Sequence, residues 1–197
     1  MSDSSIQQQQ QQQHNNNALI KDDRFYDKVI VITGAGGSFG REGCLYFAKR
    51  GAKIAALEVN AASLAETVLA LTKSCPGANV CALECNVTSV EAVHNTMEII
   101  ETKFGPIDML WNNAGYQGEI KPTLEYDPAD FQKVMDINVT GMFIVLQAVA
   151  RRMAREDRGG SIVNTASVAG LRGTPAMVAY VSSKAAVLGM TGASQRG

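Results

Sequence analysis

Short β-branched runs alternate with amphipathic helical stretches from Lys28 onward, and that alternation restricts the fold more than any other property of the chain. Lys28 to Ile32, Lys53 to Leu57, Asn79 to Leu83, Ile107 to Trp111 and Ser161 to Thr165 predict strands. Between them, Phe39 to Arg50, Ala61 to Ser74, Ser89 to Phe104 and a long stretch from Asp127 to Glu156, with Asn138 as its point of interruption, predict helices. Repeated strand, helix, strand order implies parallel strands, right-handed crossovers and helices on both faces. The expected fold class is therefore α/β, a doubly wound parallel sheet. A last helix is predicted from Pro175, where proline suits a first helical turn. The tail from Thr191 to Gly197 has no large apolar residue, and no sixth strand follows it.

A chain of 197 residues with 46% hydrophobic residues can build one core. The unbroken glutamine run Gln7 to Gln13, followed by His14 and Asn15 to Asn17, cannot bury enough apolar surface to offset its ordering entropy. Residues 1–24 are expected to be a disordered tail and 25–197 the folded domain. Eighteen basic against nineteen acidic residues leave a net charge of −1, which provides no field for a phosphate backbone and argues against nucleic acid as a partner. Met1 to Asp23 has neither the pattern of a secretory signal nor that of a transit peptide. No stretch reads as the roughly 18 apolar residues of a membrane span. Cys44, Cys75, Cys81 and Cys85 lack paired metal-ligand spacing, and the two histidines, His14 and His94, lie far apart. Reduced thiols and a cytoplasmic location are the expectation, with no metal.

Gly34, Gly37 and Gly40 follow the first strand and open the first helix, with Ser38 and Phe39 between them. Small residues there let the backbone approach a pyrophosphate, and the helix N-terminus attracts its charge. An ordinary tight turn has the same composition, so the reading leans on its company. Glu58 ends the second strand eighteen residues after Gly40, where a carboxylate accepts hydrogen bonds from a ribose diol and repels a 2′-phosphate. NAD is favoured over NADP on that ground. Asn86-Val87 follows the third strand and Asn112-Asn113-Ala114-Gly115 the fourth, both at carboxyl ends where ligands bind in open α/β sheets. Asparagine also serves ordinary loop chemistry, and both readings hold for Asn112 to Gly115.

Tyr180 and Lys184 are four apart and so share a helix face, with Ser167 thirteen positions upstream of the tyrosine. A neighbouring ammonium favours a phenolate, which can take the proton of an alcohol while hydride leaves its carbon. Ser167 can orient the same oxygen, Lys184 can reach the nicotinamide ribose, and Asn138 is a candidate to hold a proton-relaying water. Each residue alone has a plainer role: a snorkelling surface pair, a small-residue turn, a helix cap. In this order behind a nucleotide turn they point to chemistry.

From about Phe25 to Thr191 these residues resemble the classical short-chain dehydrogenase/reductase family. Its nucleotide turn matches Thr33 to Gly40, its Asn-Asn-Ala-Gly stretch Asn112 to Gly115, and its tetrad Asn138, Ser167, Tyr180 and Lys184. Asn112 to Gly118, Ile137 to Gly141 and Ile162 to Gly170 are most similar to bacterial xylitol and related polyol dehydrogenases. The resemblance implies a Rossmann-like fold, an NAD cofactor and a small alcohol or ketone substrate. It also implies subunit pairing through the helices around Met142 to Arg152 and Pro175 to Met190.

Departures from the pattern keep alternatives open. Ser38 stands where the middle glycine of the family's turn is usual, and Asn86 where an aspartate is often found. The turn equally fits Gly-x-x-Gly-x-x-Gly, the form of the extended, epimerase-type branch, against which Asn112 to Gly115 and the chain's length argue. The chain runs only thirteen residues past Lys184, whereas the family continues into further strands, so the domain is read as incomplete at its C-terminus and its homo-oligomer as doubtful. The leading function is an NAD-dependent alcohol or polyol dehydrogenase. The alternative is a non-catalytic nucleotide-binding product.

Overall fold

The computed structural model describes residues 23–155 and 159–194. The expected tail lies outside the described residues except at its last two positions, where Asp23 and Arg24 join Phe25 in a 3₁₀ turn. Among the described residues five strands, β1 (Val29–Thr33), β2 (Lys53–Glu58), β3 (Val80–Glu84), β4 (Met109–Asn112) and β5 (Ser161–Asn164), form one sheet in the order β3-β2-β1-β4-β5. All four pairings are parallel, and Val31 at the centre faces Ala55 on one side and Leu110 on the other. Most strand ends fall within one residue of the sequence expectation, and the largest shift is at the start of β4. β4 starts at Met109 rather than Ile107, and β5 stops at Asn164, after which Thr165 donates its amide to Asn112 as the chain turns away.

β1 reads as a continuous apolar run because both of its faces are covered. Val29 and Val31 point to one side with Ala55, Leu57 and Leu110, against α3 (Val90–Phe104) and α5 (Met142–Arg155). Ile30 and Ile32 point to the other with Ile54 and Ala56, against α1 (Ser38–Ala48) and α2 (Ala61–Ser74). Each of these fully buried branched side chains contributes about 1.5–3 kcal/mol. Side chains start the helices where the sequence places them: Asn60 accepts from the Ser63 amide, Ser89 from Ala92, and Asp127 from Ala129 with Pro128 in the first turn.

α4 (Pro128–Met135) runs through a π-helical turn, Asp136–Gly141, into α5. The widened turn falls on the expected interruption and carries Asn138 into the interior at 0% exposure. The continuous helix, Pro128–Arg155, is long and apolar enough to cross a membrane, contrary to the sequence expectation that no segment would be. Its apolarity has a local cause, since Val145, Val149 and Met153 pack into the sheet's core.

The last helix, α6 (Val178–Ser194), begins three residues later than Pro175 suggests. Ala176 has φ +62°, its carbonyl accepts from the Lys121 amide at 2.9 Å, and Met177 closes a turn onto Thr174. A left-handed residue cannot sit in a right-handed helix, so the proline belongs to the preceding turn. At its far end α6 continues through the small residues to Ser194, where Thr191 and Ser194 hydroxyls bond back to Val187 and Met190.

Candidate active site

A cleft runs along the carboxyl ends of the strands and has two compartments. The first, about 730 Å³, is lined by Gly34, Glu58, Asn86, Val87, Ala114 and Gly115, among others, and closed on its outer side by Gln132, Lys133 and Ile137. The second, about 410 Å³, is lined by Gly37, Ser38, Phe39, Ser167, Tyr180 and Lys184, among others. Gly34, Glu58, Gly115 and Tyr116 line both.

The β1–α1 turn is a tight cradle. A Cβ on Gly34, whose φ is +66°, would sit 2.9 Å from the Ala114 Cα, and one on Gly40 would overlap the Gly34 carbonyl. Ser38, in the place of a glycine, is exposed at the first position of α1, so its side chain meets open space rather than backbone. Gly37 caps α1 without any side-chain bond, which leaves the first helical amides facing the cleft mouth without a capping group. Glu58 places one carboxylate oxygen on the Val59 and Asn60 amides, at 2.9 and 3.1 Å, and the other on the Gly36 amide at 3.1 Å.

The floor between the compartments is set by Thr33, whose buried hydroxyl accepts from the Asn113 and Ala114 amides at 2.8 and 2.9 Å. Asn112 bonds the Met142 carbonyl at 2.8 Å and Asn164 at 3.2 Å, tying β4 to α5 and β5. Its amide is spent inside the protein and lines neither compartment.

In the second compartment Lys184 is 3% exposed, donates to the Thr165 carbonyl at 2.7 Å, and places its ammonium 5.6 Å from the Tyr180 ring centroid. Burial holds its pKa below the usual lysine value. The Ser167 hydroxyl accepts from the Ala169 amide at 3.1 Å, which starts a 3₁₀ turn over Val168–Gly170 and fixes the serine at the rim. Cys44, Cys81 and Cys85 are buried, and burial pushes the Cys44 thiol up to about 12.

Asn138 is a brace. Its carbonyl oxygen accepts the Tyr116 amide at 2.7 Å, and its NH₂ donates to the Tyr116 carbonyl at 2.8 Å and to Ser183 Oγ at 2.9 Å. It joins the loop after β4 to α6 and lines neither compartment. Tyr116 is also held at its hydroxyl: Asp130 accepts from Tyr116 at 3.0 Å, from Tyr126 at 2.6 Å and from the Glu119 amide at 2.9 Å. The Tyr126 bond and the Glu119 amide hold the Asp130 carboxyl below its usual range. Burial and that same carboxylate push Tyr126 up to about 12.

Of the residues singled out in the sequence, Gly34, Gly37, Ser38, Phe39, Glu58, Asn86, Val87, Ala114, Gly115, Ser167, Tyr180 and Lys184 line the cleft, while Gly40, Asn112 and Asn138 support it from behind. Sequence reasoning passed over Thr33, Asn113, Tyr116 and Thr165 as individual site residues. Thr33 could have been found as a hydroxyl at a strand end next to a glycine turn; the other three depend on contacts between distant segments and leave no periodic signal.

The sequence model of the short chain dehydrogenases matches residues 28–196. Among curated proteins, levodione reductase of Leifsonia aquatica is 36% identical over 168 residues, covering 85% of this chain and 62% of the relative. The 3beta-hydroxysteroid dehydrogenase of Mediterraneibacter gnavus is 36% identical, covering 85% and 59%. Among solved structures, NAD⁺-bound xylitol dehydrogenase superposes with a TM-score of 0.83 at 43% identity, covering 86% of this chain and 64% of that one. The chain thus spans about three fifths of the length of the curated relatives it matches here.

Proposed function

The chain belongs to the short-chain dehydrogenase family, and from that premise we propose that it binds NAD in preference to NADP and interconverts a secondary alcohol or polyol and its ketone. One observation carries the reading: the compartment holding Ser167, Tyr180 and Lys184 shares four wall residues with a larger one suited to an adenosine. The cradle fits a dinucleotide in its chemistry. Gly34 and Gly40 leave no room for a side chain, and the compartment lined by Glu58, Asn86 and Val87 would take the ribose diol and the adenine. The xylitol dehydrogenase relative and a Burkholderia phymatum relative, 35% identical with a TM-score of 0.81, are both NAD complexes.

When bound, the nicotinamide supplies the hydride acceptor or donor. Tyr180 takes the hydroxyl proton in oxidation and returns it in reduction. Lys184, held by its bond to Thr165 with its ammonium 5.6 Å from the ring centroid, sets a positive charge beside that proton transfer. Ser167 orients the substrate oxygen. Asn138 acts on this group through Tyr116 and Ser183, which favours a role in holding α6 against the loop. Purified chain should bind NAD in calorimetry and reduce it in the presence of polyols or secondary alcohols. Binding without turnover on any of them would leave a nucleotide-binding protein and remove the dehydrogenase reading.

A further inference from the structure

The turn between β1 and α1 contains two successive peptide units, Ala35–Gly36 and Gly36–Gly37, and each is held at both ends. In the first, the Ala35 carbonyl accepts from the Thr67 hydroxyl at 2.8 Å and the Gly36 amide donates to Glu58 at 3.1 Å. In the second, the Gly36 carbonyl accepts from Arg41 Nη2 at 3.2 Å and the Gly37 amide donates to the Gly34 carbonyl at 3.1 Å. Just ahead of them, the Ala35 amide donates to Leu57 at 3.0 Å.

Thr67, on α2, is 0% exposed and lines neither compartment. Its oxygen also accepts from Arg41 Nε at 3.1 Å, so one hydroxyl locks the arginine that holds the next carbonyl. Glu66, on the same helix, accepts at 2.7 Å from the same Nη2 that holds the Gly36 carbonyl. Gly36 has to be bare for this arrangement, because a Cβ there would sit 2.5 Å from Ser63 Oγ and 2.9 Å from Glu58 Cγ.

A peptide unit flanked by glycine rotates at little steric cost. Rotation of either unit would turn a carbonyl oxygen toward the cleft, where its partial negative charge would oppose a pyrophosphate. The free amides of the first α1 turn attract the same anion. We propose that Thr67 and Arg41 are positioning residues for the pyrophosphate of the dinucleotide, holding two consecutive carbonyls on the α2 side so that the anion meets amide hydrogens only. The inference rests on the dinucleotide reading above. It assigns control of the phosphate turn to α2 and recognition of adenosine to Asn86 and Val87, with Glu58 touching both through its bond to the Gly36 amide.

The test compares ligands with and without phosphates on the full chain. Thr67→Val keeps the shape and deletes the hydroxyl; Thr67→Ser restores it. Affinities for NAD, ADP and adenosine are measured by calorimetry, with ligand-observed NMR for the weak nucleoside. Thr67→Val is expected to weaken NAD and ADP about tenfold and adenosine less than about twofold, with Thr67→Ser recovering most of the loss. Arg41→Met, at a partly exposed position, should show the same selectivity at about threefold, and it stands as the test should Thr67→Val fail to fold. Equal losses for adenosine and ADP in the folded variants, or no loss for NAD, would overturn the positioning role. Failure of the unaltered chain to bind NAD would instead remove the dinucleotide reading itself, and this inference with it.

Discussion

The glycine-rich turn and the Tyr180–Lys184 helix face one cleft and are held in different ways. The turn is fixed through backbone groups, with partners on the adjoining strand and helix: Leu57 and Glu58 from β2, Thr67 from α2, Arg41 from α1. The reacting end is fixed through side chains that join remote segments: Asn138 to Tyr116 and Ser183, Lys184 to Thr165, Asn164 to Thr191. The turn's own anchored atoms are backbone, so changes within it are restricted where glycine is required, while its partners Glu58, Thr67 and Arg41 act through their side chains. Side-chain anchoring puts a single buried amide in control of how two elements meet, and an unpaired partner there is costly.

The widest separation between the two regions should appear in Tyr180→Phe. Removing only the hydroxyl is expected to lower kcat by about 10²–10⁴-fold and leave the NAD dissociation constant within about twofold. Steady-state rates and calorimetry check this, and an equal loss of binding would erase the division between the compartments.

Asn138→Ala should act on the scaffold. It strands the Tyr116 amide and carbonyl and the Ser183 hydroxyl, so denaturant unfolding should show a loss of about 2–3 kcal/mol. Retained stability would mean that α6 docks without the amide.

Glu58→Ala is expected to shift the NAD-to-NADP affinity ratio about tenfold toward NADP, because a carboxylate that repels a 2′-phosphate is gone. An unchanged ratio would sink the ribose contact while leaving the cradle intact.

The smallest effect concerns the loop above the cleft. The folded-state pKa of Tyr126 is raised to about 12, above the ordinary tyrosine value of about 10. A raised folded value means stability that is fully present below pH 10 and lost as pH rises through about 12. Tyr126→Phe should therefore flatten the alkaline fall in stability and delete the highest phenol step in an ultraviolet titration. A titration curve identical to that of the unaltered chain would show that the Asp130 bond does not persist in solution.

Particular residues show where sequence reasoning reached and where it stopped. The five strands were readable because β-branched runs buried on both faces carry their own signal, and the helix starts at Asn60, Ser89 and Asp127 because capping is local. Pro175 misled because its rule is local too, whereas the turn there is held by pairing between Lys121 and Ala176, 55 positions apart. Asn112 and Asn138 could be picked out by residue type and place. Their observed contacts, each to backbone and side chain far along the chain, could not.

By itself the sequence determined the alternation of strands and helices, the tight turn after β1 and the pairing of a tyrosine and lysine on one helix face. These follow from periodicity, from glycine's missing Cβ and from helical geometry, all of which act over a few residues. Only the tertiary structure decided that Gly115 and Tyr116 would wall both compartments, that Thr67 would hold a carbonyl 32 positions away, and that Asn138 would serve as a brace. Those outcomes depend on which polar groups are buried opposite one another once the sheet has formed, and a buried hydrogen-bonding group takes whatever partner the packing presents.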